Sequence, residues 1–400
     1  MVQIKQLPKE FMQAIPVIET LEKAGYEAYF VGGSVRDIMM GKEIHDVDIA
    51  TSAYPAEVQS LFPKTFDLGV EHGTVLVLLG NEQYEVTTFR TESAYQDYRR
   101  PDHVTFVRSL EEDLKRRDFC MNALAMNRDG EIVDLFDGLY DIQHHEIRAV
   151  GVAEERFNED ALRMMRAVRF ASQLDFHIEG KTQEAIYHHH QLLTKISMER
   201  IQAEWIKLLA GKNPQRGLND FIATDCYQSC WGMENRKEAL IYLAEHLTRP
   251  VGEAQGWLLL SLVFELSEKQ AAQFMRHWKC SKAMIQLVTP SIRGAKERLH
   301  RSLTPIEQYD LGLERLQLIE SIRFFFHQTA DSQVEAAYRQ LPIHCIQDLA
   351  IDGRQIIQET GKKPGPWLGQ LLRLMQEKVL LNEWENEAAF LVARAKEFDN

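Results

Sequence analysis

Residues 31–51, VGGSVRDIMMGKEIHDVDIAT, decide how the first part of the chain folds. The glycine pair Gly32 and Gly33 lies between an apolar run and a short segment of helical spacing, which is typical of a turn that joins a strand to a helix. In the later DVDIAT run, apolar and acidic residues alternate with a period of two, as in a strand with one buried face. A strand, a helix and a second strand are therefore expected.

The same kind of pattern extends outward from this stretch. Between residues 28 and 148, short β-like runs such as GTVLVLL, QYEVTTF and EIVDLF are separated by Gly, Asp and Asn, and helical spacing occurs at 5–24, 35–40 and 56–62. Beyond Gly151, apolar residues recur almost only at intervals of three and four. The predicted fold class is α+β, with an N-terminal mixed sheet followed by an all-α remainder.

The glycine turn could serve a ligand or only the fold. Glycines allow backbone N–H groups to approach a phosphate closely, and Arg36 would supply a counter-charge close to Gly33. Alternatively, Ser34 caps the following helix and Asp37 closes a capping box. The turn on its own leaves both interpretations open.

The acidic pair Asp46 and Asp48 falls on one face of the second strand, because side chains alternate along a strand. Two adjacent carboxylates repel each other unless a divalent cation lies between them, and oxygen ligands with open positions suit Mg²⁺ that also carries substrate phosphates. Glu85, on a later strand, is a candidate third carboxylate of a catalytic set. The alternatives are a solvated acidic edge strand for the pair and a surface position for Glu85.

A second charged pattern lies in residues 157–173, which we expect to form one helix. Asp160, Arg163, Arg166 and Arg169 recur at every third position and would form a charged stripe along it. An aspartate can accept a hydrogen bond from the exocyclic amine of cytosine or adenine, and an arginine can donate to a ring acceptor, so the stripe could imitate a pairing base. A salt-bridged surface helix is the alternative.

The overall charge is a poor guide to the partner. The 400 residues carry a formal net charge of −13, which on its face argues against a nucleic-acid partner. Local clustering sets the field that a ligand feels, however, and basic residues cluster at 90–117, 156–169 and 354–373. The composition is therefore compatible with RNA binding.

Neither secretion nor a membrane span is expected. The first residues lack a basic stretch followed by an apolar core, and no uninterrupted apolar run reaches about 18 residues. The five cysteines are scattered and odd in number, which suits free thiols in a reducing cytoplasm rather than disulfides. We therefore expect a cytoplasmic protein.

Several motifs follow one another in a set order: GGSVRD, DVDIAT, RRDF at 116–119, EDALR at 159–163 and SMERIQAEW near Glu199. In this order they resemble the class II tRNA nucleotidyltransferases of bacteria, which share their catalytic head with bacterial poly(A) polymerases. The resemblance is strong from about Tyr29 to Glu199 and weaker beyond. It implies that Asp46 and Asp48 bind the metal ions. It also implies a set of nucleotide contacts: Gly33, Arg36, Arg117, Asp160, Arg163, Arg166 and Arg169.

Within that set, the resemblance implies that Gly33 and Arg36 hold the phosphates, and that Asp160 and Arg163 act as a protein template for the base. The tRNA 3′-hydroxyl would attack the α-phosphate of CTP or ATP with Mg²⁺ at the aspartate pair, adding C, C and A and releasing pyrophosphate. The resemblance also implies four parts: a catalytic head at 1–149, a neck for base recognition at 150–210, a body at 211–305 and a tail that binds tRNA at 306–400.

Related activities stay open. An A-adding enzyme, a CC-adding enzyme and a poly(A) polymerase share these motifs, although the long polar segment 90–104 resembles a mobile loop that CC-adding enzymes tend to lack. The acidic composition argues against a nonspecific poly(A) polymerase. An inactive RNA-binding protein on the same scaffold is a further alternative, against which the intact aspartate pair counts. The oligomeric state is left open, with a homodimer as one option.

Three further clusters carry less weight. The consecutive histidines at 188–190 would point in three directions on a helix and are predicted to lie on the surface. The segment GKKPGPW at 361–367 places two lysines before a helix, which suits either an RNA phosphate or an ordinary helix start. Cys226 and Cys230 lack a second zinc-ligand pair, so no metal site is expected there.

Overall fold

The computed structural model of the chain describes residues 2–68, 73–92 and 104–398. The chain divides into two compact units, Met1–Pro250 and Val251–Asn400. Most of the segment 90–104, in which a mobile loop is expected, lies outside the described residues. No helix in the described ranges is long and apolar enough to cross a membrane.

Within the described residues, a seven-stranded sheet forms the centre of the first unit. The strands of this sheet and of two small pairs are β1 (Ala28–Val31), β2 (Asp48–Thr51), β3 (Thr65–Asp67), β4 (Thr74–Leu79), β5 (Glu82–Thr88), β6 (Arg90–Glu92), β7 (Val104–Phe106), β8 (Leu124–Met126), β9 (Ile132–Asp134), β10 (Glu146–Ile147) and β11 (His177–Ile178). The order across the large sheet is β3-β4-β5-β2-β1-β8-β9, in which β2 and β5 are parallel and the other neighbours antiparallel. The predicted mixed sheet is confirmed.

The register of three strands places the acidic pair beside the glycine turn. Asp48 opens β2 and lies opposite Val31, the last residue of β1, which leads directly into the turn. On its other side β2 runs parallel to β5 with Ile49 opposite Val86, so Asp48 is next to Glu85 across the strands. Ile49 and Val86 are fully buried, and a slip of one residue would turn both outward. Burial therefore fixes the position of the carboxylates.

Helices flank the sheet and make up most of the remainder of the first unit. They are α1 (Lys9–Lys23), α2 (Gly33–Met39), α3 (Pro55–Leu61), α4 (Leu110–Lys115), α5 (Gly138–His144), α6 (Ala153–Glu159), α7 (Leu162–Leu174), α8 (Gly180–His189), α9 (Met198–Leu209), α10 (Pro214–Ala223) and α11 (Lys237–His246). α1 packs on β1, where the rings of Phe11 and Phe30 meet edge to face with centroids 4.9 Å apart. Both rings are fully buried, so this contact belongs to the core.

The segment 157–173, expected to form one helix, contains a break. α6 ends at Glu159 and α7 begins at Leu162, and between them the backbone of Asp160 is extended, with φ −137° and ψ 103°. The Asp160 carboxylate accepts a hydrogen bond from the Leu162 N–H at 3.0 Å and so satisfies one free donor at the start of α7. The prediction of one continuous helical stripe was wrong, because only the three arginines of that stripe belong to α7.

The second unit contains helices and no strands among its described residues. Its helices are α12 (Glu253–Val263), α13 (Glu268–His277), α14 (Lys282–Arg298), α15 (Pro305–Leu311), α16 (Leu313–Ser321), α17 (Val334–Arg339), α18 (Gly353–Thr360), α19 (Pro366–Leu380) and α20 (Ala388–Glu397). Ser267, Ser281 and Thr304 each cap the next helix by accepting a backbone hydrogen bond from its first turn. Trp367 and Leu371 belong to a hydrophobic core within this unit. The predicted α+β class with a helical remainder is confirmed.

Candidate active site

The turn between β1 and α2 brings backbone close to an arginine. Gly32 has φ 73°, a left-handed conformation that favours glycine, and a Cβ at this position would lie 3.0 Å from Nη1 of Arg117. α2 begins at Gly33 without a side-chain cap, and Ser34 instead donates its hydroxyl to the carbonyl at the end of β1. The alternative in which Ser34 and Asp37 form a capping box was therefore wrong.

Arg36 belongs to a chain of hydrogen bonds. Its side chain donates to Asp37 through Nε and Nη2, at 2.9 and 2.8 Å, and to Oδ1 of Asn122 through Nη1, at 2.7 Å. Asn122 donates to Oδ1 of Asp118 at 3.1 Å. Nε of Arg166 donates to the other oxygen of Asp118 at 2.8 Å. Two arginines, one on α2 and one on α7, are thus held through a shared set of buried partners.

Asp118 carries the negative charge at the centre of this hydrogen-bond network, and its side chain is buried. Burial alone would raise the pKa of this carboxyl group. The charge of Arg166, with hydrogen bonds from Asn122 and Arg166, outweighs burial and lowers the pKa of Asp118 to about 2. The group is therefore ionised at neutral pH and pairs with its partners in the charged form.

A second buried carboxylate orients the arginines of the RRDF motif. Asp113, within α4, accepts hydrogen bonds from Arg116 at 2.7 Å and from Arg117 at 3.1 Å. Although burial opposes ionisation, the charges of the two arginines lower the pKa of Asp113. Arg117 is thereby held beside the glycine turn.

These groups line a cavity of about 490 Å³, which we call the arginine cavity. Its lining includes all seven nucleotide-binding residues that the sequence predicts: Gly33, Arg36, Arg117, Asp160, Arg163, Arg166 and Arg169. It also includes Asp48, Arg116, Asp118, Asn122 and Arg200. In the described lining seven arginines accompany three aspartates, so the groups that face the cavity are mainly cationic and suit a polyanion such as a triphosphate. Carboxylates outside the lining, among them Asp113 and Glu204, pair with several of these arginines.

A second cavity, of about 530 Å³, has the opposite character, and we call it the carboxylate cavity. Its lining includes the three predicted catalytic residues Asp46, Asp48 and Glu85, with Glu10 and Glu82. Asp48 lines both cavities. This carboxylate therefore lies where an anionic nucleotide in one space would meet a second reactant in the other.

The charges in the carboxylate cavity suit a divalent metal ion. Partial burial and the negative charge of Glu85 raise the pKa of Asp48. The charge of Asp46 adds to this rise, and the positive charge of Arg117 opposes it. A divalent cation would relieve this crowding of like charges. Among the described residues no three His, Cys, Asp or Glu side chains form a metal site by themselves. The aspartate pair therefore fits an ion that takes its other ligands from a bound nucleotide or from water.

The two residues expected to read the base are both engaged with protein groups. The Asp160 carboxylate pairs with Arg200, whose Nη2 lies 2.7 Å from Oδ2. Arg163 donates to Glu159 at 2.6 Å and to the carbonyl of Arg116 at 2.8 Å. Both side chains nevertheless line the arginine cavity, so a base entering it would meet them already oriented.

Arg169 has a different environment from the other arginines of α7. It is 6% exposed, donates to Glu204 and to Gln173, each at 2.5 Å, and lies 3.7 Å from the ring centroid of Phe170. Burial lowers the pKa of Arg169, although Glu204 opposes this. The arginine therefore also joins α7 to α9, since Glu204 is on α9.

Sequence reasoning missed three residues of this site. Asn122 lies outside any periodic pattern, and only its place shortly after RRDF hinted at a role. Arg200 and Glu204 are four residues apart in SMERIQAEW, a spacing that puts both on one face of α9. That spacing was a usable signal, but their partners Asp160 and Arg169 are 40 and 35 residues away along the chain.

The lesser predictions have mixed outcomes. All five cysteines are free, as expected. The surface prediction for the three histidines holds for the exposed His188, but His190 is only partly exposed and lies 2.8 Å from the Ser229 hydroxyl through Nδ1. Lys362 donates to the carbonyl of Phe398 at 2.5 Å, so one of the two lysines before α19 has a partner within the fold.

Comparisons with known proteins agree with this architecture. A family model described as the poly A polymerase head domain matches residues 28–148, and one described as tRNA nucleotidyltransferase domain 2 matches residues 249–395. Between them, residues 175–229 match a probable RNA and SrmB-binding site of polymerase A. The fold and the site thus define a nucleotidyltransferase.

Proteins of similar sequence identify the family to which the chain belongs. CCA-adding enzymes of Enterococcus faecalis and Limosilactobacillus reuteri are 50% and 49% identical, each over 98% of this chain and over 97% and 98% of their own lengths. The crystal structure of the Bacillus stearothermophilus CCA-adding enzyme in complex with CTP has a TM-score of 0.88 at 37% identity, with 98% of both chains covered. The chain belongs to the family of CCA-adding enzymes, whose nucleotidyl transfer uses a divalent metal ion.

Proposed function

We propose that this chain adds C, C and A to the 3′ end of tRNA from CTP and ATP. The observation that carries the proposal is the position of Asp48, which lines both the arginine cavity and the carboxylate cavity. A nucleoside triphosphate suits the arginine cavity, and a neutral hydroxyl suits the carboxylate cavity. The α-phosphate and the 3′-hydroxyl would then meet at this carboxylate, and pyrophosphate would leave toward the arginines.

Asp46 and Asp48 would hold Mg²⁺, with Glu85 as a third carboxylate beside them. When bound there, the metal would help to deprotonate the attacking hydroxyl and would neutralise charge on the phosphates. The chain's own contribution is orientation. Arg36 is fixed by Asn122 and can hold the phosphates near Gly33, where the backbone is open.

We assign base selection to Asp160, at the break between α6 and α7, and to Arg163, in the first turn of α7. A carboxylate accepts from the exocyclic amine that cytosine and adenine share, and the guanidinium donates to a ring acceptor. Arg117 and Arg166 would contact the incoming nucleotide from the cavity wall. Arg169, which anchors α9, would contribute mainly through the charge that it adds to this space.

The helical parts would bind the acceptor arm of tRNA by its backbone shape and charge, because duplex RNA offers little sequence information. In this proposal the head spans 1–149, the neck 150–210, the body 211–305 and the tail 306–400. The protein would act in the cytoplasm, where tRNA matures. A CCA-adding enzyme from Thermotoga maritima has been solved in complex with tRNA_CCA. It has a similar fold, with a TM-score of 0.65 at 20% identity.

The test is incorporation of labelled CTP and ATP into tRNA ending at the discriminator base, into tRNA ending in C-C and into an unrelated RNA. We expect two C and one A on the first, A alone on the second and nothing on the third. Asp46→Ala/Asp48→Ala should abolish incorporation, whereas Asp129→Ala, an exposed carboxylate elsewhere in the first unit, should not. C alone, A alone, or long A tails would assign the chain to a CC-adding enzyme, an A-adding enzyme or a poly(A) polymerase, and no incorporation would favour an RNA-binding protein.

A further inference from the structure

The carboxylate of Asp160 is held on two sides. Its Oδ1 accepts from the Leu162 N–H at 3.0 Å and from Nη1 of Arg200 at 3.3 Å, and its Oδ2 accepts from Nη2 of Arg200 at 2.7 Å. The two side chains are partly shielded, with 19% of Asp160 and 29% of Arg200 exposed. The pair is bidentate, a geometry that fixes the plane of the carboxylate as well as its position.

The pairing with Arg200 leaves the Asp160 carboxylate one acceptor position for a ligand. An ionised carboxylate offers about four lone-pair positions, two on each oxygen. Leu162 and Arg200 occupy both positions on Oδ1 and one on Oδ2. Among the described residues, nothing occupies the remaining position on Oδ2, and Asp160 lines the arginine cavity. Arg200 thus leaves Asp160 with a single acceptor and a defined direction for it.

Arg200 itself is placed by a rigid element. It lies in the first turn of α9, and α9 is joined to α7 by two buried bonds. One is the Arg169–Glu204 pair at 2.5 Å, and in the other the Ser172 hydroxyl donates to the carbonyl of Leu208 at 2.6 Å. The guanidinium therefore reaches the α6–α7 break from a fixed direction, across 40 residues of sequence.

We propose that Arg200 is a specificity-determining positioning residue, which holds Asp160 so that it accepts only from an amine at the position that N4 of cytosine and N6 of adenine would occupy. Cytosine and adenine present a donor at this place, whereas uracil and guanine present a carbonyl oxygen. A fixed acceptor opposite that oxygen is repulsive, and the pairing with Arg200 prevents Asp160 from rotating away. The inference rests on the proposed function, in which Asp160 reads the base.

The test compares nucleotides of similar size whose group opposite Asp160 is an amine in one and a carbonyl oxygen in the other. The neighbouring ring nitrogen, which Arg163 would face, also changes, so each variant is compared with the wild type on the same pair of nucleotides. Kd for CTP and UTP is measured without tRNA, and kcat/KM is measured for CTP against UTP on tRNA ending at the discriminator base. ATP against GTP on tRNA ending in C-C gives the second ratio. Arg200→Ala should lower the preference for CTP over UTP by roughly ten- to a hundredfold, the range for a hydrogen bond to a charged group. Arg200→Lys, which keeps the charge but loses the fork, should retain part of the preference.

Two controls separate positioning from a general structural role. Arg216→Ala removes a comparable pair, in which Nε lies 2.8 Å from Asp175, and should leave the selectivity ratios unchanged. In an Asp160→Ala background, Arg200→Ala should lower selectivity no further, because the group that it positions is gone. Unchanged ratios in both Arg200 variants, or an equal loss in both backgrounds, would overturn the inference. Failure of the wild type to add C and A to tRNA would instead overturn the proposed function, and the Kd ratios would still be measured.

Discussion

Asp48 shows how one residue can lower the stability of an empty site and yet be required for function. It lies beside Glu85 and near Asp46, and its pKa is raised, so the charged form is disfavoured in the absence of a cation. We expect Asp48→Asn to abolish nucleotide addition without lowering the metal-free unfolding temperature, because the amide removes repulsion and keeps the shape. Thermal unfolding with and without Mg²⁺ checks this.

In that experiment Mg²⁺ should raise the unfolding temperature of the wild type and have little effect on the variant, since ligand binding to the folded state stabilises it. Asp129→Ala should respond to Mg²⁺ as the wild type does. A variant that unfolds at a markedly lower temperature without metal would show that Asp48 supports the fold.

Asp118 has the opposite balance, because its partners favour the charged form. Its pKa is lowered from 3.8 to about 2, so its ionisation stabilises the fold above about pH 4, and this stabilisation is lost as the pH falls from about 4 toward 2. Asp118→Asn should therefore reduce the free energy of unfolding at pH 7 by about 1–3 kcal/mol, since Arg166, whose side chain is 35% exposed, loses its charged partner.

The measurement is the difference in unfolding temperature between wild type and Asp118→Asn across the acid range. The difference should be constant above about pH 5 and should narrow below about pH 4. A difference that stays constant down to pH 2.5 would contradict the assignment of this acid sensitivity to Asp118.

At the scale of elements, the close approach of α7 and α10 depends on glycine. A Cβ at Gly217 of α10 would lie 2.6 Å from Cβ of Ser172 and 2.8 Å from the carbonyl of Val168, both on α7. Gly217→Ala should cost about 1–3 kcal/mol, because neither backbone nor Cβ can yield easily. Gly180→Ala, with open space around the new Cβ, is the matched control and should be neutral or stabilising.

Urea unfolding of the two variants gives the comparison. Because α7 carries Arg163 and Arg166, Gly217→Ala should also raise KM for CTP, whereas Gly180→Ala should not. Equal stability of the two variants would mean that the α7–α10 contact relaxes without cost.

The same elements show what the sequence could and could not predict. The alternation in DVDIAT predicted that Asp46 and Asp48 share a face, and the apolar runs predicted the sheet, because periodicity is local information. The break at Asp160 escaped prediction because apolar spacing continues across it and neither Asp nor Ala forbids a helix. It is defined by Arg200 and the Leu162 N–H, and a partner 40 residues away leaves no periodic signal. Asn122 escaped for a similar reason, since its partner Arg36 is 86 residues away.

At the scale of the molecule, the chain has two compact units with separate hydrophobic clusters. Leu371 is fully buried in the cluster of the second unit. Leu371→Ala should reduce the stability of that unit by about 2–5 kcal/mol through the cavity that it leaves. Scanning calorimetry should show a lower transition temperature for the unit of residues 251–400 and little change in that of residues 1–250.

In the same calorimetric experiment, binding of CTP should change the stability of the other unit, residues 1–250. CTP at about a hundred times its Kd should stabilise the unit that contains the arginine cavity by about 2.7 kcal/mol. The Leu371→Ala variant should respond to CTP as the wild type does. A single transition that moves as a whole under both changes would mean that the two units unfold together.

The carboxylate cavity also determines which part of an RNA chain can react. Its described lining carries five acidic side chains and no arginine or lysine, so it disfavours a phosphate directly beside the reacting hydroxyl. An internal nucleotide has a phosphodiester on each side of its ribose, whereas the last nucleotide has one on its 5′ side only and ends in a free 2′,3′-diol. Electrostatic exclusion would thus help the protein to distinguish a chain terminus from a chain interior, and growth would proceed from the end without branching at internal 2′-hydroxyls.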